Sequence, residues 1–538
     1  MLEGSLYVLY PPLMGFEVQA DRNAPYPFPH AFDRCNQGTT CLTAGSDDQG
    51  SPGRDHVGLL TRALNGRFPK GILEPRTDPG ALNLREMIMQ RPLFGVIVLL
   101  LFSGCASYGV VQNAPLPGTA GEQSYSIRTF MEDWRTDENA LMLAFSGGGT
   151  RAAALSYGVL KELRDTSIVS EGRTKRLLDE VHSISSVSGG SFTAGYYGVY
   201  GEKIFTDYEE AFLKRDVQGG LKSKLFNPFR WFGRTGRTEW AVEYYQEHVF
   251  HDATFADMLQ PGRPLIVINA SDLGCGARFS FVQEYFNLLC SDLSTFPVAR
   301  AVAASSAVPV VFNPVVVENY ASCQLGTADS LRTAKQRSAD DRRMLMLLEE
   351  LESYSDKDKR KYAHFVDGGI TDNLGLRAVY EIVEVSSGGM GHFTKKYGRQ
   401  PPRRIVMISV DASARAEPVM DRSIKQPGLM ETVGAMSDIQ LHLYNVATIE
   451  LMEETLTRWT KELSTPERPV EAYFIYLSFK DIKDPKRRTF FNEVPTSFSL
   501  TGEQVEGLIE VGGELLRVNP EFRRLMADLH GSRISQNP

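Results

Sequence analysis

Leu141-Met-Leu-Ala-Phe145 leads directly into Ser146-Gly-Gly-Gly-Thr-Arg151, and the chain continues with the alanine- and leucine-rich run Ala152–Leu163. The five apolar residues predict a buried strand, and the run after the glycines has the composition and apolar stripe of a helix. A helix that begins at a glycine turn directs unpaired backbone N–H groups towards whatever lies over its N-terminus. The stretch therefore predicts a strand, a turn rich in hydrogen-bond donors and a helix.

Two kinds of site use such a donor turn. Phosphate binding would need a lysine with a Ser/Thr, or a second spaced set of glycines, and the sequence has neither pattern here. The other use is an oxyanion hole, in which the N–H groups of the turn would meet a developing negative charge. A tight turn without a ligand is the remaining alternative.

A second strand, turn and helix follow about forty residues later. Val181–Val187 alternates like a strand, Ser188-Gly-Gly190 forms the bend, and Ser191–Tyr200 can form a helix. A nucleophile elbow is written G-x-S-x-G because small neighbours allow the serine a strained, exposed turn. Ser186 replaces the first glycine, and Ser188 has the small flanking residues that the competing serines Ser185, Ser186 and Ser191 lack.

The base that would accept the serine proton has two candidates. A Ser-His-Asp triad needs a histidine, and none follows a strand in a suitable loop among His248, His251, His364, His392, His442 and His530. Asp367 instead ends the strand-like Phe365-Val366 and precedes Gly368-Gly369, which places a carboxylate on a turn with room beside it. The pair His248/His251 lacks the glutamate of a metalloprotease motif, so we expect a helix surface there and no metal.

Together with Ala303-Ala-Ser-Ser-Ala-Val-Pro309, these motifs resemble the patatin-like phospholipase family in order and context. The resemblance covers roughly residues 138–415 and departs from the family at Ser186 and in a charged insertion before Asp367. It implies an α/β protein with a three-layer α/β/α fold and a mainly parallel central sheet. No cofactor is implied.

The resemblance also implies a mechanism. Ser188 would attack an ester carbonyl, Asp367 would take its proton, and the N–H groups of Gly147–Gly149 would hold the oxyanion. Arg151 would orient the donor turn or contact a phosphate head group, with a helix cap or a surface salt bridge as the alternative.

The implied function is a lipid acyl hydrolase of the phospholipase A or lysophospholipase type, acting on membrane lipid or lysolipid through an acyl-enzyme. The alternatives are a catalytically silent envelope lipoprotein that binds a lipid or a partner, and a Ser-His esterase.

Residues 87–109 read MIMQRPLFGVIVLLLFSGCASYG. A basic residue, ten apolar residues and a small-residue exit to Cys105 are typical of a bacterial lipoprotein signal peptide. Ten apolar residues form only about 15 Å of helix, half of a bilayer core, which argues against a membrane span. We therefore expect lipidation at Cys105, and Ala106-Ser107 favours an outer-membrane lipoprotein facing the periplasm. Residues 1–86 are then either an over-long gene start or a disordered leader.

Length and composition complete the prediction. The chain has 538 residues with 42% hydrophobic and 23% charged residues, which is globular composition, and its net charge of −8 provides no basic surface for nucleic acid. The predicted segments are a leader (1–86), a signal peptide (87–104), a tether (105–138), a catalytic domain (139–415) and a helical and strand extension packed on it (416–538).

Within these segments we expect further strands at 265–270, 278–282, 404–410 and 472–477, and one or two long helices over 428–463. Thr501 and Gln504 form a capping box for the final helix. Residues 324–361 predict an amphipathic helical insertion, which is a lid, a membrane-facing element or, more simply, a solvated helix packed on the core. Three cysteines remain after Cys105, and the pair Cys290–Cys323, which flanks apparent loops, is the predicted disulfide.

Overall fold

The computed structural model describes residues 108–117, 124–132, 138–170, 172–225, 236–321, 323, 327–415, 419–529 and 532–533. The predicted leader, the signal peptide and Cys105 lie outside these residues. The strands are β1 (Ala114–Pro115), β2 (Asn139–Phe145), β3 (Thr166–Ser170), β4 (Arg173–Arg176), β5 (Val181–Val187), β6 (Leu265–Asp272), β7 (Arg278–Ser280), β8 (Ser291–Asp292), β9 (Val315–Glu318), β10 (Tyr362–Asp367), β11 (Arg404–Asp411), β12 (Glu471–Ser478) and β13 (Ser532–Arg533).

The α-helices are α1 (Ile127–Glu132), α2 (Gly149–Asp165), α3 (Gly189–Tyr200), α4 (Ile204–Tyr208), α5 (Val217–Leu225), α6 (Arg237–Tyr245), α7 (Gln283–Phe286), α8 (Val298–Ser305), α9 (Thr327–Arg337), α10 (Arg342–Glu352), α11 (Gly369–Asp372), α12 (Leu376–Ser387), α13 (Met390–Lys396), α14 (Leu429–Leu463), α15 (Pro485–Glu493), α16 (Gly502–Val518) and α17 (Pro520–Asp528). No helix in the described ranges is both long and apolar enough to cross a bilayer.

The central sheet has the strand order β12-β11-β2-β5-β6-β10-β9. The strands from β12 to β6 are parallel to their neighbours, whereas β10 is antiparallel to β6 and to β9, and β7 is antiparallel to β6. β2 and β6 are buried along their whole length, as expected for parallel strands covered on both faces. The prediction of a mainly parallel sheet in a three-layer α/β/α fold is confirmed.

Helices cover both faces of the sheet. The connection through α2 steps from β2 to β5, towards one edge of the sheet, and the connection through α14 steps from β11 to β12, towards the other edge. Right-handed crossovers then place these two helices on opposite faces. α16 packs along α2, and β12 forms the sheet edge, so residues after 415 contribute to both a helical layer and the sheet.

Two pieces of the predicted tether pack against the domain. Tyr125 is fully buried and its hydroxyl bonds the backbone of Ile266, while Ala114–Pro115 pairs with β8. In 108–117 and 124–132 the structure therefore differs from the predicted tether, because an aromatic side chain and a strand bridge anchor these residues to the domain.

The charged insertion and the cysteines follow the sequence-based expectations. α10 buries Met344, Leu348 and Leu351, which is the packing of a solvated helix on the core. Cys290 and Cys323 form a disulfide, and Cys275 is a free thiol. The capping box of Thr501 and Gln504 is present at the start of α16.

Candidate active site

Ser188 occupies a strained turn between β5 and α3. Its backbone has φ 49° and ψ −118°, a conformation that side-chain-bearing residues rarely adopt. The turn packs so closely on the donor turn that a Cβ on Gly189 would lie 2.0 Å from the carbonyl oxygen of Gly149. The glycine after Ser188 is therefore required by the close approach of two backbones, and the predicted elbow geometry is present.

The side chains of Ser188 and Asp367 meet directly. Ser188 Oγ donates a hydrogen bond to Asp367 Oδ2 at 2.8 Å, and both residues are buried. The second carboxylate oxygen accepts the N–H of Gly369 at 2.8 Å, which fixes the orientation of the carboxylate. The two predicted residues, 179 positions apart in the chain, thus form a hydroxyl–carboxylate pair.

The donor turn lies beside this pair. A Cβ on Gly147 would lie 3.3 Å from Ser188 Cβ, so the turn borders the serine side chain. The N–H of Gly147, however, donates to the carbonyl oxygen of Asn373 at 3.0 Å. Gly147 is therefore not available as an oxyanion donor as predicted, because a tertiary contact uses its amide. Within the described part of the chain, the amides of Gly148 and Gly149 donate to no other protein group.

The same motifs lie in a part of the chain that matches a known family of domains. Residues 143–380 match the model of the family described as patatin-like phospholipase. This range includes the donor turn, the elbow and Asp367. Residues 143–380 form a patatin-like phospholipase domain. A domain of this family is a lipid ester hydrolase.

Solved structures give further similarities. The chain is similar to human GIVD cytosolic phospholipase A2, with 12% sequence identity, a TM-score of 0.38, and coverage of 79% of this chain and 68% of that chain. The same human protein in complex with methyl gamma-linolenyl fluorophosphonate aligns with 14% identity, a TM-score of 0.33, and coverage of 79% and 69%. No curated protein sequence matches the chain.

Burial changes the acid–base properties of Asp367 in the patatin-like domain. Removal of the carboxylate from water raises its pKa from the ordinary 3.8 to about 6, although the hydrogen bonds from Gly369 and Ser188 act in the opposite direction. An aspartate with an ordinary pKa is a feeble base at neutral pH. The raised pKa makes this carboxylate a stronger proton acceptor, while it stays mostly ionised at pH 7.

Ser305 supports the nucleophile elbow, a role that the sequence motif alone did not predict. Ser305, in the Ala303–Pro309 segment, accepts the backbone N–H of Ser188 at 2.8 Å and donates to the carbonyl oxygen of Asn269 at 2.6 Å. The backbone N–H groups of Asp367 and Gly368 donate to carbonyls of Ala307 and Ser305. This segment therefore holds the nucleophile turn and the aspartate turn in register.

Arg151 is buried, and its guanidinium group bonds three other groups of the protein. Its Nε donates to the carbonyl oxygen of Ala412 at 2.8 Å, Nη1 donates to that of Val494, and Nη2 donates to Thr496 Oγ1 at 3.0 Å. Burial lowers its pKa to about 10. Of the predicted alternatives, orientation of the donor turn agrees with these contacts. Head-group binding and a surface salt bridge do not, because all three guanidinium nitrogens bond the protein interior.

The histidines do not build a triad in the described ranges. None of the described histidines hydrogen-bonds Ser188, and His364 lies on β10 opposite Val316, with its side chain exposed. His530 lies outside the described residues. His248 packs its ring on Tyr244, with centroids 4.5 Å apart, and the described residues contain no group of three side chains suited to hold a metal.

Asp372 and Asn373 complete the aspartate turn. Asp372 is buried, burial raises its pKa to about 6, and its Oδ2 accepts the N–H of Ala378 in the first turn of α12. Asn373 accepts the Gly147 amide through its backbone carbonyl and donates from its side chain to Ser413 at 3.1 Å. The two acidic residues of Asp367–Asp372 thus share a raised pKa, but only Asp367 contacts the nucleophile.

Proposed function

We propose that the patatin-like domain hydrolyses carboxylic esters of phospholipids or lysophospholipids through an acyl-enzyme on Ser188, with Asp367 as the base. The observation that carries the proposal is the 2.8 Å hydrogen bond from Ser188 Oγ to Asp367 Oδ2 at a strained elbow. A hydroxyl held against a buried carboxylate of raised pKa is arranged to lose its proton as it attacks.

The first half-reaction forms the acyl-enzyme. Ser188 Oγ bonds the ester carbonyl carbon, and its proton moves to Asp367 Oδ2. The carbonyl oxygen becomes an oxyanion, for which the amides of Gly148 and Gly149 are the proposed donors, together with that of Gly189, the residue after the nucleophile. Collapse of this intermediate breaks the ester C–O bond, and the proton on Asp367 passes to the leaving alcohol.

The second half-reaction releases the fatty acid. Asp367, ionised again, accepts a proton from a water molecule that attacks the acyl carbonyl. The serine ester bond then breaks, and the proton returns to Ser188 Oγ. This scheme uses one carboxylate alternately as base and acid and requires no histidine.

Hydrolysis assays with matched serine variants test this proposal. We expect wild type to release fatty acid from phosphatidylcholine or lysophosphatidylcholine, and Ser188→Ala to lose at least 10³-fold in kcat. The control is Ser156→Ala, since Ser156 is a buried serine of α2 whose hydroxyl has no partner in the described structure. Wild-type activity no higher than that of Ser188→Ala would instead favour a catalytically silent lipid-binding protein. Activity that survives Asp367→Asn but is lost on a histidine substitution would favour a Ser-His esterase.

We also propose that Cys105 is lipidated and places the domain at the bacterial outer membrane, facing the periplasm. The support is the Met87–Cys105 sequence pattern. Metabolic labelling with a radioactive fatty acid should label wild type and not Cys105→Ser. Equal labelling of both proteins would exclude this attachment site.

A further inference from the structure

Helix α14 is much longer than the sheet on which it packs. Its 35 residues span about 52 Å, whereas the eight residues of β12 span about 26 Å. The helix follows β11 and precedes the parallel strand β12, so it runs from the carboxyl edge of the sheet back to the amino edge. About half of it therefore extends beyond the carboxyl edge, where Ser188 follows the last residue of β5.

The exposure of the side chains agrees with this estimate. The buried positions of α14 begin at Asn445 and continue to Leu463. Before Asn445, every described side chain of the helix is exposed or half-buried. We refer to residues 429–446 as the protruding half. Its polar side still approaches the site, since the charge of Asp438 influences the pKa of Arg151 and the Asn445 side chain donates to Ser413.

The protruding half has an exposed apolar stripe. Its members recur every three or four residues and are Leu429, Val433, Met436, Ile439, Leu443 and Val446. This spacing places them on one side of a helix. Asn445, sixteen residues after Leu429, lies about 160° around the axis from it, so the stripe points away from the packed side. Among the residues that the structure describes, none covers this stripe.

Further exposed apolar residues follow, in the chain, two residues that hydrogen-bond Asp367. Ile370, in α11 beside the long helix, is 55% exposed and directly follows the glycine that bonds Asp367. Val308, Val310 and Val311 are exposed and follow Ala307, whose carbonyl accepts the N–H of Asp367. Val310 has φ 74°, a strained conformation for a β-branched residue, and such strain concentrates at functional sites.

Charge and area indicate what covers this surface. Residues 419–446 contain three acidic and two basic side chains, so this segment has no positive charge excess that would attract an anionic partner. A pair of such helices from two copies, each contributing a face about 27 Å long and 10 Å wide, would bury roughly 540 Å², well below the 1,200 Å² of a stable interface. Binding to a lipid surface requires only apolar area, and the long helix contacts the Gly369–Asp372 helix, which follows Asp367.

We propose that the protruding half of α14, the loop 308–311 and Ile370 form a surface that inserts into a neutral phospholipid bilayer. Contact with the bilayer brings the Ser188 site to esters at the membrane surface, so that aggregated lipid is hydrolysed faster than dispersed lipid. The inference rests on the proposed hydrolase function and extends it to the physical state of the substrate.

The test uses the full chain with Cys105→Ser, so that no lipid anchor contributes to binding. The surface variant is Met436→Glu/Leu443→Glu, and the control is Gly434→Glu/Ser437→Glu, which adds the same charge away from the stripe. Each protein is sedimented with phosphatidylcholine vesicles and assayed on vesicles and on the soluble ester 4-nitrophenyl butyrate.

We expect the surface variant to lose at least tenfold in vesicle binding and in the vesicle rate, and to keep its rate on the soluble ester within twofold. The control should match the parent in all three measurements, and 0.5 M NaCl should not release the parent from the vesicles. A parent that fails to bind vesicles, or a surface variant that binds as well as the parent, would overturn the inference. A dimer dissociated by the surface substitutions, with vesicle binding unchanged, would assign the stripe to a second copy. Vesicle binding without hydrolysis of any ester would contradict the proposed function, while the proposed bilayer-binding surface would still be supported.

Discussion

Arg151, in the first turn of α2, donates a hydrogen bond to the backbone carbonyl of Val494, 343 residues later in the chain. The same guanidinium bonds the carbonyl of Ala412 and the hydroxyl of Thr496. One buried cation thus joins the donor turn beside Ser188 to the loop after β11 and to the segment before α16. The geometry of the donor turn therefore depends on residues far outside the motif that contains it.

Replacement of Arg151 should damage both stability and catalysis. Arg151→Gln leaves at least one buried carbonyl without its donor, which we expect to lower the free energy of unfolding by about 2–4 kcal/mol. Because the donor turn is displaced, kcat should fall by more than KM changes. Urea unfolding and steady-state kinetics measure the two effects. The control is Arg128→Gln, whose exposed ion pair with Glu132 should leave the free energy of unfolding nearly unchanged. An Arg151→Gln protein as stable and active as this control would show that the three contacts do not hold the site.

The pH dependence of hydrolysis should follow the raised pKa of Asp367. The carboxylate must be ionised to accept the serine proton, so kcat/KM should fall about tenfold per pH unit below about 6. With an aspartate of ordinary pKa, this acid limb of the pH profile, where kcat/KM begins to fall, would lie near pH 4. The profile of Asp372→Asn should keep the same limb, since Asp372 has a similarly raised pKa but does not contact Ser188. A limb near 4 in wild type, or one that shifts in Asp372→Asn, would contradict the assignment.

The same raised pKa means that the ionised Asp367 carboxylate lowers the free energy of unfolding at neutral pH. The folded state binds the proton more tightly than the unfolded chain, so the stabilisation present below pH 4 is lost as the pH rises through about 6. Relative to wild type, Asp367→Asn should therefore gain about 1.4 kcal/mol in unfolding free energy between pH 5 and pH 8. Urea titrations of both proteins at the two pH values measure this difference. A wild-type stability that rises relative to the variant over that range would show that Asp367 is not desolvated.

The disulfide should contribute to stability through the loop that it closes. Cys290 and Cys323 are 33 residues apart, and a loop of this length corresponds to about 3–4 kcal/mol of chain entropy in the unfolded state. We expect the double variant Cys290→Ala/Cys323→Ala to lose a comparable amount in urea unfolding. Cys275→Ala removes one free thiol and leaves the disulfide intact, so it serves as the control. Dithiothreitol should destabilise wild type and Cys275→Ala but not the double variant, and equal responses of all three would argue against the bridge.

Local sequence patterns were sufficient to predict most elements around the site. The apolar run before Ser146 forms β2, and the alternating run before Ser188 forms β5, because both are bounded by glycine turns that end a strand. The Asp367-Gly-Gly turn follows β10 in the same way. Three such turns at strand ends, in the order of the patatin-like family, predicted the hydroxyl–carboxylate pair of Ser188 and Asp367.

Contacts between distant segments could not be predicted in this way. The Gly147 N–H donates a hydrogen bond to the carbonyl oxygen of Asn373, and the partners of Arg151 lie in segments without any motif. Periodicity reports which face of an element is buried, but not which backbone carbonyl a given donor meets. The antiparallel pairing of β10 with β6 was also not predicted, because apolar strands read the same in either direction. The signal for Ser305 was present in its motif, but its role became visible only from its bond to the Ser188 amide.

The proposed hydrolysis depends on Ser188 as the nucleophile and on Asp367 as the base that activates it. The most direct measurement is the rate of covalent labelling by a fluorophosphonate, with the modified peptide identified by mass spectrometry, in wild type, Ser188→Ala, Asp367→Asn and the two controls Ser156→Ala and Asp372→Asn. We predict a single adduct on Ser188 in wild type and both controls, no adduct in Ser188→Ala, and labelling at least 100-fold slower in Asp367→Asn. An adduct on any other residue, or an Asp367→Asn protein that labels as fast as wild type, would contradict this account.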